Sequence, residues 1–132
     1  MNKTITPNLS IEERRDRRQK AIDSLVREVS LVRVTSPSVG LQWAGTTTDL
    51  LEAVHIAYLS GRLKDPGGRP ETFISLAEQV FAVLHKRLPV NPSSYISKSG
   101  QRKNMRQKPY IERYEYQLTR LNISHPFTQM TG

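Results

Sequence analysis

Apolar residues recur at helical spacing in four stretches of this chain, and no stretch shows a convincing strand pair or an internal repeat. The first stretch is Ile22, Leu25, Val26 and Val29, which predicts a helix over about 11–33. Its start is marked by Ser10 and Glu13, a capping box in which each side chain serves the other's backbone amide. The first half, "EERRDRRQK", is polar all round and basic, and could touch phosphate, but a solvated face is the better reading. Glu13–Arg17 and Asp16–Lys20 are four apart in the favourable order, so this half reads as a self-neutralised, solvated face. "TSPSVG", 35–40, is a linker rich in Ser, Pro and Gly.

The second stretch has Leu50, Leu51, Val54, Ala57 and Tyr58 on one face. Thr46, Thr47 or Thr48 can cap it, Asp49 suits its first turn, and Gly61 is a natural stop. "RLKDPGGRP" is a turn-rich loop. The third stretch, 71–87, carries a wide stripe of Phe73, Leu76, Ala77, Val80, Phe81 and Leu84, which predicts the most buried helix. After "LPVN", Asn91 as N-cap and Pro92 at the first helical position predict a fourth helix from 92. Pro109 can open a last one in the same way, with Tyr110, Tyr114, Leu118 and Leu121 on one side. The expected organisation is a flexible N-terminus over 1–9, an N-terminal amphipathic helix over 10–34, the linker over 35–40, a helical unit over 41–122 and a flexible tail over 123–132.

A buried helix, a turn of about four residues and a second helix from 92 make the arrangement of a helix-turn-helix, whose second helix enters the major groove. With Tyr95, Ile96 and Gly100 inward, Ser94, Ser97, Lys98, Gln101 and Arg102 face outward or lie at the margin. Arg and Lys suit phosphate or guanine, and Gln suits adenine. Lys103, Arg106 and Lys108 would follow the backbone. Short αα-turns also occur in ordinary helical proteins, where the same residues would be a solvated face over a three-helix core.

Charge supports a polyanionic partner. The net charge is +8, and Ser94–Lys108 holds Lys98, Arg102, Lys103, Arg106 and Lys108 with no acid. The excess is uneven: +3 over 1–40, zero over 41–91 and +5 over 92–132. A hydrophobic fraction of 36% allows a core of modest size. The absence of cysteine excludes disulfides and thiolate zinc sites, and is compatible with a reducing cytoplasm. No apolar run reaches the ~18–20 residues of a membrane span, and the N-terminus has no signal-peptide h-region.

Candidate chemistry changes little. His55, His85 and His125 have no carboxylate or histidine at ligand spacing, so no metal or cofactor is expected. No nucleophile elbow, P-loop or H-E-x-x-H is present. Tyr110, Tyr114 and Tyr116 could stack on bases, but two of them fall on an apolar stripe, so core packing is the better reading. Trp43, just before a helix, reads as a lid on the core, or, if exposed, as a partner contact.

"LQWAGTTTDLLEAVHIAYLSGRL" resembles the Trp-x-Gly…Asp-Leu-x-Glu segment of the RteC family, carried by Trp43, Gly45, Asp49, Leu50 and Glu52. The likeness continues through "ISLAEQVFAVL", the Tyr95 region and "RKNMRQKPYIERYEYQL", and covers about 41–121. RteC proteins are transcriptional regulators of conjugative transposons, and their C-terminal half is a helix-turn-helix or winged-helix DNA-binding domain. The resemblance implies an all-α protein: a small helical bundle with a winged-helix-like DNA-binding core plus an N-terminal helix. It implies a cytoplasmic, bacterial, non-enzymatic regulator of genes on a mobile genetic element. Double-stranded DNA is the expected partner, with no membrane and no small-molecule substrate, and Ser94, Ser97, Lys98, Gln101, Arg102, Lys103, Arg106 and Lys108 are the candidate contacts. Palindromic sites would require a homodimer, for which the N-terminal helix is the candidate interface. The alternative is a protein-interaction adaptor that uses the N-terminal helix and Trp43. A DNA-processing enzyme is disfavoured by the lack of an acidic metal cluster.

Overall fold

The computed structural model describes residues 10–102 and 108–132, with side chains described for 10–98 and 108–132. The architecture is all-α. Among the described residues five helices follow one another: α1 (Ile11–Arg33), α2 (Thr47–Leu59), α3 (Phe73–Val83), α4 (Pro92–Arg102) and α5 (Tyr110–Thr119). The extended pairing described is a single isolated bridge, Lys64 with Pro70, which closes the "DPGGRP" turn. Asp65 fixes that turn by accepting from the amides of Gly67 and Arg69, both at 2.9 Å.

The capping box of α1 forms in both directions. The Glu13 amide donates to Ser10 Oγ at 3.0 Å, and the Ser10 amide donates to Glu13 Oε1 at 2.9 Å. These bonds from Ser10 hold the Glu13 carboxyl below its ordinary pKa. The expected pairings along the outer half of α1 do not form. Glu13 faces back to its cap, and Arg17 and Lys20 make no ion pair among the described residues. Arg18 instead reaches Glu115 of α5 at 2.7 Å.

The inner half of α1 is not an appendage. Ala21, Leu25 and Val29 are fully buried, and they share one cluster with Leu50 and Leu51 of α2 and Leu76 and Val80 of α3. The stretch 35–40 is therefore a tight connection within one core. It contains a 3₁₀ turn, Pro37–Val39, stopped by Gly40 at φ 84°.

Thr46 caps α2 by accepting from the Asp49 amide at 3.0 Å, and Gly61 follows its end at φ 66°, the left-handed stop that glycine allows. Thr72 caps α3 in the same manner. Glu71, expected as the first residue of α3, lies just before it and is buried. It accepts from Gln79, Ser75 and Arg33, and these contacts hold its carboxyl below its ordinary pKa, the Gln79 bond foremost.

α3 stops at Val83, four residues short of the expected 87. The Lys86 amide bonds Phe81 O and the His85 amide bonds Ala82 O, a Schellman ending with His85 in the position usually taken by glycine (φ 53°). A hydrogen bond accompanies this conformation: His85 Nε2 lies 2.8 Å from Pro37 O, which it reaches as donor. The connection to α4 thus spans 84–91, twice the length expected for a compact helix-turn-helix, and α4 packs chiefly on α2.

Pro92 is buried at the start of α4, and Ile96, one turn on, packs against the core. Tyr95, expected inward, is 38% exposed. It sits ~100° around the helix from the line that Pro92 and Ile96 set, and so falls at the rim. In α5, Tyr110 and Tyr114 are buried as expected. Leu121 is exposed because the helix ends at Thr119 and the chain turns away. Pro109 supplies no side-chain cap. Glu52 of α2 supplies it across the core, accepting from the Tyr110 amide at 2.8 Å.

The segment 123–132, expected to be a flexible tail, folds onto the core. Phe127 is fully buried, with its ring centroid 5.1 Å from that of Trp43. Amides of Gln42 and Ala44 donate to Thr131 O and Met130 O. A 3₁₀ turn, Thr128–Thr131, ends the chain. Buried Glu28 of α1 anchors its start, accepting at Oε1 from the Thr128 amide (2.7 Å) and hydroxyl (2.6 Å) and at Oε2 from the Phe127 amide and the Tyr114 hydroxyl. Trp43 is a lid on the core, as expected from its position. It is 6% exposed, and its Nε1 donates to Thr46 O at 2.9 Å. A Cβ on Gly45 would stand 2.9 Å from Trp43 Nε1, so Trp43 and Gly45 form one packing unit.

His55 lies among Tyr58 and Phe73, with ring centroids at 5.8 and 5.2 Å. Burial pushes its pKa below the ordinary 6.5. The unfolded chain therefore takes up this proton at a higher pH than the folded chain does. The stabilisation is complete above 6.5 and declines as pH falls below it. The melting temperature of His55→Phe should change less than that of the wild type between about pH 7 and 5. Glu71, with its lowered carboxyl, adds a further loss at lower pH in both proteins.

Candidate nucleic-acid interface

The exposed side of α4 borders a cleft of about 630 Å³ whose wall includes Thr47, Arg87, Asn91, Ser94, Tyr95 and Lys98. Its position follows from the local fold. The left-handed turn at His85 directs the chain away from α3, Arg87 and the residues 89–91 form one wall, and the first two turns of α4 form the other. Thr47 brings in the N-terminal end of α2, and Asn91 and Ser94 lie at the N-terminal end of α4. Both helix ends present positive dipole to the cleft. Arg87 and Lys98 are exposed and make no ion pair among the described residues.

No acid lines this cleft. The residues from Gln79 to Ile111 contain no Asp or Glu, but seven Lys and Arg. A cationic surface without local neutralisation, with hydroxyl and amide donors and an exposed tyrosine face, is chemically suited to phosphates and bases. Among the described residues, no group of three His, Cys, Asp or Glu could hold a metal ion, and no helix is long and apolar enough to cross a membrane.

Of the candidate contacts, Ser94 and Lys98 meet in the cleft, and Ser97 is exposed on α4 beside them. Gln101 and Arg102 belong to the last turn of α4, with side chains outside the described set, and Lys103 and Arg106 lie outside the described residues. Lys108 is placed elsewhere, in a groove between α1 and α5. Arg87, Tyr95 and Thr47 were not foreseen. The signal for Arg87 was available in the acid-free run, which begins well before Ser94. Trp43, the aromatic of the adaptor alternative, has its ring covered by the C-terminal segment.

No family model matches the chain, and neither the curated proteins nor the solved structures contain a match to it.

Proposed function

We propose that this chain is a DNA-binding transcriptional regulator of the RteC kind, acting in the bacterial cytoplasm on genes of a mobile genetic element. The observation that carries the proposal is the acid-free cleft along α4, with Arg87 and Lys98 exposed and unpaired among the described residues. In this reading Arg87 and Lys98 neutralise phosphates, and Ser94, Ser97, Gln101 and Arg102 present donors to base edges. Lys103, Arg106 and Lys108 contribute to backbone binding. In this reading α4 is the DNA-facing helix, reached from α3 by the eight-residue connection 84–91 and packed chiefly on α2. The mechanism is binding without a chemical step.

A homodimer through α1 would have to use its outward side, where Ile11 and Leu31 are exposed, because Leu25 and Val29 belong to the chain's own core. The burial of Trp43 removes one of the two surfaces of the adaptor alternative. Selection of bound sequences from a random duplex pool tests the proposal. Enrichment of a defined site is expected, and an inverted repeat within it would indicate a dimer. Recovery of an unenriched pool would contradict a sequence-reading role.

A further inference from the structure

A second basic surface lies away from the α4 cleft. The groove between the outer half of α1 and α5 has a volume of about 510 Å³, and its wall includes Arg17, Lys108, Arg113, Tyr116, Gln117 and Arg120. Two of its cations are already matched: Arg113 holds Asp49 through two bonds, at 2.7 and 3.0 Å, and Arg18, also in the wall, holds Glu115 at 2.7 Å. Arg17, Lys108 and Arg120 make no ion pair among the described residues. Glu112 is the acid in the wall that stands against these three. The groove therefore keeps an excess of positive charge, although Arg17 also acts through space on Glu13 at its other side. Gln117 and Thr119 add neutral donors, and Tyr116 is 53% exposed.

The groove and the cleft meet at one end of α2. Thr47 lines the cleft, and Asp49, in the same helical turn, grips Arg113 in the wall of the groove. We infer that the α1–α5 groove is a second contact for the phosphate backbone of the nucleic acid that the α4 cleft binds, so that the duplex is held on both sides of the α2 N-terminus. This inference rests on the DNA-binding reading and adds a site to it. A polyanion fits better than a small anion. The unpaired cations are spread along two helices, and no buried polar group marks a closed pocket between them.

The test uses the full chain and a mixed-sequence duplex at a series of salt concentrations. Arg17→Ala with Arg120→Ala removes two cations of the groove. Lys64→Ala with Arg69→Ala, in the exposed loop between α2 and α3, removes the same charge elsewhere. The groove variant should bind about ten-fold more weakly at low salt, with a slope of log affinity against log salt shallower by about two. The loop variant should keep the wild-type slope. If the groove and loop variants behave alike while the wild type binds with a steep slope, the groove inference is wrong and the α4 reading stands. If the wild type binds no duplex, both fall. If the groove variant loses binding to polyglutamate but keeps full duplex binding, the groove seats an acidic polypeptide and the inference is overturned.

Discussion

Replacing Glu28 with alanine is expected to destabilise the fold by about 3–5 kcal/mol, among the largest effects a single substitution could have here. Glu28 is 3% exposed and receives bonds from the Tyr114 hydroxyl, the Phe127 amide, and the amide and hydroxyl of Thr128. Removing the carboxylate leaves the buried Tyr114 hydroxyl and Phe127 amide without this acceptor, whereas the donors of exposed Thr128 can turn to water. Burial pushes the Tyr114 hydroxyl pKa far up, so that side chain remains a donor throughout the accessible pH range. Tyr114→Phe, which removes one donor and leaves the carboxylate its other partners, should cost about 1–2 kcal/mol. Urea unfolding measures both, and amide exchange should show residues 126–131 opening first in Glu28→Ala. A loss below about 1 kcal/mol in Glu28→Ala would mean that the C-terminal segment is not held as described.

The second large effect is on binding. Arg87→Glu combined with Lys98→Glu should reduce duplex affinity by about 100-fold or more at moderate salt, since two cations of the cleft become two anions. Both side chains are exposed and form no ion pair among the described residues, so stability should change by less than about 0.5 kcal/mol for each. No acid lines the cleft, and reversal there alters both its charge and its complementarity to phosphate. A matched reversal at Lys64 and Arg69 keeps the same net charge and should have a much smaller effect. Comparable losses in the two variants would place the binding surface elsewhere.

Local rules were legible in the sequence. The capping box at Ser10, a threonine cap within 46–48 (Thr46 in the fold), the stop at Gly61 and the stripe of α3 all depend on residues within a turn or two of each other. Long-range rules were not. Nothing near Phe127 shows that it stacks on Trp43, and nothing near Glu28 shows that its acceptors serve Thr128. Glu28 does lie on the face shared by Ser24 and Leu25, an acid on an apolar stripe, which marks a buried polar partner without naming it. The end of α3 was hidden because histidine, not glycine, takes the left-handed position, and its bond to Pro37 comes from a distant loop.

The candidate site divides in the same way. Ser94 and Lys98 were legible as one face of a helix, because helical spacing places them one turn apart. Arg87 joined them only through the path of the 84–91 connection. Arg17 read as neutralised by Glu13 four residues earlier, but Glu13 serves as the cap of α1, and Arg17 turns toward α5. A favourable spacing fixes which side chains can meet, and competition among partners decides which of them do.

The most direct measurement of the central claim is a salt titration of wild-type binding to a duplex of mixed sequence. The account predicts tight binding at about 50 mM salt and a linear fall of log affinity with log salt, with a slope of about −3 or steeper. Absence of duplex binding at that salt, or binding that salt leaves unchanged, would contradict it.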